Sequence, residues 1–417
     1  MADTSRRPSP NVAAVLVLAL LAGVLLLWQR PWESSDGDVA SAELPSDVSS
    51  RLTGQLRSLA AADSQQAFVA AAGDLPDATR FGRRTWSSLI ALGATSLDLR
   101  YVSGGEVADR ADGSAEAVVD VAWRAGQESG LGATALHRST VALRIVPEAD
   151  GGLSIVDAAS RKGPLPLWLA GRVEVERGRG TVVVTVDGGD GSFPLVSMGE
   201  VARDAVTQVV PKAAGEITVV MPHTQEQAAM LLGQESDTVA PIAAVATRLD
   251  DSASARARDV VVLNPRVFTT MDQRAAQVVL THEATHLLTG AVGTRAATWV
   301  VEGFADFVAL HDDTAPLSVS AGQVLTQVRD GRVPKQLPDA EQFSSAGRGL
   351  GAVYESTWMI FRMLGERYPD SSIVELYRAV LAGRPVDRAL DASMGLSEKQ
   401  LTAQWRRYLT KSASTVS

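Results

Sequence analysis

Two histidines four residues apart within an apolar helical segment constrain this chain more than any other feature. Met271–Leu288 has the apolar spacing of a helix, follows a pair of threonines that can cap it, and stops at Gly290. Residues four apart on a helix lie one turn above each other on the same face, so His282 and His286 can meet one ion. Glu283 projects beside them and can take a proton from water without being a ligand. The spacing therefore predicts a metal site with its own base.

A second helix supplies the third ligand that a catalytic zinc site requires. Trp299–Phe307 begins this helix, with Glu302 in its first turns and Asp306 four residues further on. Asp306 lies on the same helix face as Glu302 and can hydrogen-bond the far nitrogen of a ligand histidine. Taken alone, Glu302 would be a carboxylate favoured by the helix dipole. The combination predicts that His282, His286 and Glu302 bind one Zn²⁺, and a chain without cysteine offers no thiolate in their place.

The two motifs together resemble the gluzincin superfamily of zinc peptidases, which includes thermolysin-like and aminopeptidase N-like enzymes. The residues that carry the resemblance are HEATH at 282–286 and WVVEGFADF at 299–307. It implies that Glu283 is the general base, that Glu302 is the third metal ligand, and that Asp306 supports a histidine. The expected reaction is hydrolysis of peptide bonds. The alternative is a catalytically inactive surface module of the same fold that acts in protein binding or envelope assembly.

A third segment, Gly351–Leu364, resembles the aminopeptidase N-like helix that opens with V-Y-E. This resemblance implies that the Tyr354 hydroxyl hydrogen-bonds the oxyanion of the reaction intermediate, a role suited to a donor that stays protonated at neutral pH. The alternative for Tyr354 is an aromatic anchor at the start of a helix.

The chain also departs from the aminopeptidase pattern. It lacks the G-x-M-E-N strand that binds a substrate's free amine, and the corresponding edge strand, Ala243–Arg248, offers no acidic pair. The missing strand leaves the choice between endo- and exopeptidase open. Gly303 follows Glu302 where the aminopeptidases carry Ser or Leu, and the gap from His286 to Glu302 is shorter than in thermolysin-like or aminopeptidase N-like enzymes. These last two features resemble the broader set of bacterial peptidase MA-like domains, and the resemblance covers about Val196–Leu409.

The N-terminus carries an apolar run, Val12–Trp28, preceded by Arg6 and Arg7. Such a run can almost cross a hydrocarbon core, and the basic residues before it place the N-terminus inside. A cleaved signal peptide, followed by secretion, is the alternative, but the A-x-A pattern at residues 40–42 lies well beyond the run. We therefore expect a single-pass membrane protein with the bulk of the chain outside the cytoplasm.

Composition changes along the chain predict an α+β protein in four parts: residues 1–32 (cytoplasmic stub and transmembrane helix), 33–47 (linker), 48–172 (accessory domain) and 173–417 (metallopeptidase-like domain). In the accessory domain, helices precede a run of alternating strands, an order that resembles small NTF2-like or cystatin-like domains. The last part is expected to contain a short mixed sheet followed mainly by helices. His137 is expected to be a solvated residue in a polar turn of the accessory domain.

The charge balance bears on the partners. A net charge of −9 and a pI near 5.2 argue against nucleic acid, because phosphate binding needs a cationic face. The expected partners are a peptide or protein substrate and the membrane that holds the N-terminal helix.

Overall fold

The computed structural model describes residues 44–104, 113–133, 135–189, 191–213, 215–250, 257–344 and 349–415. The predicted transmembrane helix and most of the linker lie outside these residues. Within the described ranges, no helix is long and apolar enough to cross a membrane. The described chain combines many helices with two small sheets, so a mixed helix and strand fold is confirmed.

Three helices followed by a four-stranded antiparallel sheet form the first module. Its elements are α1 (Ser46–Ala61), α2 (Gln65–Ala72), α3 (Pro76–Ala91), β1 (Ser96–Gly104), β2 (Ala115–Arg124), β3 (His137–Pro147) and β4 (Leu153–Lys162). The strands lie in the order β1-β2-β3-β4. Side chains alternate between the two faces of a strand, so Ala117, Val119 and Val121 of β2 all point into the buried core of the module.

A five-stranded mixed sheet follows. Its strands are β5 (Val173–Gly178), β6 (Thr181–Val186), β7 (Ile217–Met221), β8 (Ala244–Thr247) and β9 (Val260–Leu263). The helices of this part of the chain are α4 (Leu167–Ala170), α5 (Leu195–Val209), α6 (Gln225–Leu232) and α7 (Ser236–Val239). The strand order is β5-β6-β7-β9-β8; β6, β7 and β9 run parallel, and the two outer strands are antiparallel to their neighbours. The expected short mixed sheet is therefore present, with β8 as an outermost strand.

Beyond β9, every described element is a helix: α8 (Pro265–Phe268), α9 (Gln273–Thr289), α10 (Thr298–Ala309), α11 (Leu317–Ser320), α12 (Gly322–Arg329), α13 (Ala340–Ser344), α14 (Leu350–Gly365), α15 (Asp370–Leu381), α16 (Val386–Met394) and α17 (Glu398–Thr415). The N-cap of α9 is Asp272, which accepts a hydrogen bond from the Ala275 N–H. The threonine cap expected from sequence is wrong, because Thr269 ends α8 instead. Gly290 ends α9 as expected, with a left-handed φ of 71°.

The two faces of the five-stranded sheet pack into two different hydrophobic cores. Val183 of β6 belongs to the core formed with the C-terminal helices. Val182 and Val184 pack into a second core, which includes Trp123 of β2 and Trp168 of α4. This follows from alternation along the strand, which sends neighbouring side chains to opposite faces. The domain boundary near residue 172 stays a prediction, and apolar packing crosses it.

The expectation that His137 is solvated is wrong. It is the first residue of β3, is 5% exposed, and lies against Trp123 with the ring centroids 4.9 Å apart. Its Nδ1 is hydrogen-bonded to Oδ2 of Asp250, another buried residue. The polar residues next to His137 in sequence gave no indication of this, because its partner lies 113 positions further along the chain.

Candidate metal centre

The three predicted metal ligands converge at the contact between α9 and α10. Nε2 of His282 lies 3.2 Å from Oε2 of Glu302 and 2.9 Å from Nε2 of His286. One candidate ligand atom from each residue lies within 4.8 Å of the other two. All three side chains are fully buried. The helical spacing of the histidines therefore does bring both imidazoles to one point, and α10 brings the carboxylate to the same point.

Asp306 orients the first of these histidines. Its Oδ1 lies 2.8 Å from Nδ1 of His282, one helical turn beyond Glu302. Because Nδ1 of His282 is bound to this carboxylate, Nε2 is the ring nitrogen that faces Glu302 and His286. Burial lowers the pKa of His282, but Asp306 and Glu302 outweigh it and hold that pKa well above its ordinary value. Burial raises the pKa of Asp306 itself, against the attraction of His282.

The other two groups have the protonation states that metal ligands need. Burial lowers the pKa of His286 to about 4, so its imidazole is neutral near pH 7. The pKa of Glu302 is lowered although burial opposes this, because His286 and His282 both favour the carboxylate. Metal binding requires a neutral imidazole and an ionised carboxylate, and these two residues supply them.

The donor set fits a zinc ion. Two imidazole nitrogens and one carboxylate oxygen form a three-ligand set typical of catalytic zinc, with a fourth position left for water or substrate. Oε1 of Glu302 and Oε1 of Glu283 are buried without a hydrogen-bond partner among the described residues. Leaving a buried polar atom unsatisfied costs roughly 1–3 kcal/mol, and a cation at this point would relieve that cost.

Glu283 lies beside the candidate ligands and is hydrogen-bonded to the five-stranded sheet. Its Oε2 accepts a hydrogen bond of 2.7 Å from the backbone N–H of Ala246 on β8. Burial, with the nearby Glu302 carboxylate, raises the pKa of Glu283 to about 8, against the opposing effects of His282 and the Ala246 N–H. A carboxyl group with such a pKa can both take up and release a proton near neutral pH.

Tyr354 also reaches this cluster, from the second turn of α14. It is fully buried, its ring meets Phe343 edge-on at 5.3 Å, and its hydroxyl interacts with Glu302. Burial, and then the charges of Glu302 and Asp306, keep the pKa of Tyr354 well above its ordinary value. The hydroxyl therefore stays protonated at neutral pH and can donate a hydrogen bond. Six residues singled out in the sequence come together here: His282, Glu283, His286, Glu302, Asp306 and Tyr354.

Two further buried residues contact the helices around this cluster, although the sequence assigns them no role in it. Glu355 is buried, accepts a 2.7 Å hydrogen bond from the Val324 N–H at the start of α12, and also accepts one from Gln323. Tyr377 stacks on Phe304 of α10 at 3.8 Å. Glu355 is the last residue of the V-Y-E segment, whereas Tyr377 lies in no motif. The sequence does not show their contacts, because the partners come from other helices.

Gly303 is explained by close helix packing. A Cβ at this position would lie 2.7 Å from Cδ2 of Phe361 and 3.0 Å from the backbone oxygen of Thr357. Glycine thus lets α10 approach α14, the helix that carries Tyr354. The departure from Ser or Leu at this position follows from that approach.

Two other histidines lie away from the cluster. His223 is exposed, and His311 pairs with Asp312 and Asp370 at distances of 3.0 and 3.1 Å.

No protein-family model matches this sequence, and no curated protein matches it.

Proposed function

We propose that this chain is a zinc-dependent peptidase with a gluzincin-like catalytic domain. The observation that carries the proposal is the buried meeting of His282, His286 and Glu302, with Asp306 fixing the tautomer of His282. A structural zinc site would be closed by a fourth protein ligand, whereas this set contains three and has an acid–base residue, Glu283, beside it. That combination favours hydrolysis.

The chain's own residues suit each proton step of amide hydrolysis. A zinc ion held by His282, His286 and Glu302 would supply Lewis acidity that lowers the pKa of water and polarises a carbonyl group. Glu283 would take the proton from the attacking water and return it to the leaving amine. The Tyr354 hydroxyl would donate a hydrogen bond to the carbonyl oxygen as negative charge develops on it.

The outermost strand β8 suggests how a peptide would be bound. It pairs only with β9 within the described sheet, and Ala246 in its middle contacts Glu283. An extended peptide added along such an edge would lie beside the base and bind through its main chain. The strand reads Ala-Val-Ala-Thr and has no carboxylate to capture a free α-amino group. We therefore propose internal cleavage of peptide or protein substrates.

The setting of the enzyme is part of the proposal. Val12–Trp28 would hold the chain in the membrane as a single-pass anchor, with the enzyme outside the cytoplasm. The first module, with its helices followed by a four-stranded antiparallel sheet, would be an accessory domain of the NTF2-like or cystatin-like kind. Cleavage of the anchor and secretion remains the alternative.

Two measurements on the full chain in detergent test the proposal. Metal analysis is expected to give one zinc per chain in the wild type and less in His282→Ala and Glu302→Ala. Glu283→Gln is expected to keep the zinc and to cleave a peptide library roughly 10²–10⁴-fold more slowly, since it loses only the general base. Zinc that survives both alanine substitutions contradicts the ligand assignment. Wild-type cleavage by Glu283→Gln contradicts the role of the base, and zinc binding without any cleavage favours the inactive binding module.

A further inference from the structure

One segment of the first module lies across an end of the five-stranded sheet. Residues 126–133 and 135–137, which lead from β2 into the first residue of β3, form this capping segment. The Thr218 hydroxyl, at the start of β7, donates a buried 3.1 Å hydrogen bond to the Gly130 carbonyl. The backbone N–H of Arg258, just before β9, donates to the Leu131 carbonyl at 3.3 Å. The capping segment therefore contacts the sheet at the same end from two neighbouring strands.

His137, the last residue of the capping segment, contacts the chain just after the outermost strand, β8. His137 hydrogen-bonds Asp250, which lies three residues after the end of β8, and the two side chains are only 7% and 2% exposed. Beside them, Arg248 and Asp259 form an ion pair of 3.0 Å that joins the chain just after β8 to the chain just before β9. Two buried polar groups that satisfy each other lose far more if one partner is removed than an exposed pair would.

The position of β8 matters because that strand holds Glu283. β8 has four residues and pairs with a neighbour on one side only, so ladder hydrogen bonds restrain it weakly. Asp250 lies four residues beyond Ala246, whose N–H binds Glu283. A short strand that is anchored through Asp250 cannot slide along β9, and the Ala246 N–H stays opposite the carboxylate.

We infer that His137 and Asp250 are positioning residues through which the first module controls the site: they fix β8, and β8 holds Glu283. The inference rests on the proposed function for its catalytic consequence but not for its structural one. It gives the first module a role in the reaction that needs no contact with substrate.

Three substitutions separate the hydrogen bond from packing. His137→Phe keeps a ring against Trp123 but removes the donor, whereas His137→Asn keeps a donor near the position of Nδ1. Asp250→Leu removes the acceptor and keeps the branched shape of the side chain. Asp237→Asn, an exposed carboxylate in the first turn of α7, is the matched control.

Hydrogen exchange of the full chain is the direct readout. We expect the amides of β8 to exchange at least about tenfold faster in His137→Phe and Asp250→Leu, with β1 and α5 unchanged. His137→Asn and the Asp237 control should match the wild type. Exchange of β8 at the wild-type rate overturns the inference. An equal increase in β8, β1 and α5 also overturns it, because that pattern indicates general destabilisation.

Kinetics give the second readout. For the two variants with faster β8 exchange, kcat on a peptide substrate should fall about tenfold, since a misplaced general base stabilises the transition state less. KM should rise as well, because the peptide would bind along the same strand. Unchanged kcat overturns the catalytic part of the inference. If the wild type cleaves nothing, the proposed function fails, and the exchange data still decide whether His137 and Asp250 position β8.

Discussion

Glu283 and Ala246 meet at 2.7 Å, carboxylate oxygen to backbone nitrogen, across the contact between α9 and β8. The candidate base is thus oriented by a strand and not by the helix on which it lies. The same strand is the one along which a peptide would be bound, so one backbone segment would orient both the base and the substrate.

Tyr354→Phe tests the tyrosine as a catalytic donor. The substitution removes a hydroxyl that burial and neighbouring carboxylates keep protonated, and leaves the ring against Phe343. We expect kcat to fall by roughly 10²-fold or more, as for other single oxyanion donors, with zinc content unchanged. Tyr408→Phe, which loses a hydroxyl bound to Glu366 away from the cluster, is the control for steady-state kinetics. Unchanged kcat in Tyr354→Phe would make the residue an aromatic anchor only.

Asp306→Asn tests the carboxylate behind His282. An amide can still accept the Nδ1 proton but carries no charge, so His282 becomes a weaker ligand. We expect zinc affinity to fall by about 10–100-fold, measured by competition with a chelator, which needs no enzymatic activity. Asp312→Asn, three-quarters exposed and next to His311, is the matched control. Equal zinc affinities for the two variants would show that Asp306 does not act on the metal.

Glu355→Gln tests a pH dependence of stability. Burial raises the folded-state pKa of Glu355 from 4.5 to about 8, against the Val324 and Gln323 hydrogen bonds that lower it; the Asp306 charge adds to the rise. Between these values the folded protein holds a proton that the unfolded chain releases. The wild type therefore loses stability relative to Glu355→Gln as pH rises through this window, by at most about 1.4 kcal/mol per pH unit.

Urea unfolding of the wild type and Glu355→Gln checks this sign. The difference in unfolding free energy should shift in favour of the glutamine variant between about pH 5 and pH 8, and level off above, where Glu355 is ionised in both states. A difference that stays constant over this range would mean that Glu355 keeps an ordinary pKa in the folded protein.

Gly303→Ala tests the close approach of α10 and α14. A methyl group at Gly303 meets Phe361 and the Thr357 backbone, so we expect destabilisation of about 1–3 kcal/mol. Gly54→Ala is the control, because Gly54 lies inside α1 with nothing within 4 Å of the added Cβ. That change should stabilise the protein by roughly 0.5–1 kcal/mol. Thermal unfolding of both variants measures the contrast, and equal effects would exclude a steric role for Gly303.

The sequence by itself predicted those features that depend on short spacings. Helical periodicity placed His282 and His286 on one face of α9, and the same rule placed Glu302 and Asp306 together on α10. Alternating residues predicted the strands of the first module, and Ala117, Val119 and Val121 fill inward positions of β2. Such patterns reflect the local geometry of one element, so they can be read without knowing its partners.

Only the tertiary structure decided which distant groups meet. The sequence predicts His137 in solvent, but it lies against Asp250, 113 residues away. The Ala246 N–H donates to Glu283, and the Val324 N–H donates to Glu355. A backbone N–H has no side-chain signature, and a buried pair forms wherever the packing of the cores brings two segments together. Local periodicity therefore predicted the candidate ligands, and the long-range packing of the sheet between its two cores determined which groups hold Glu283 in place.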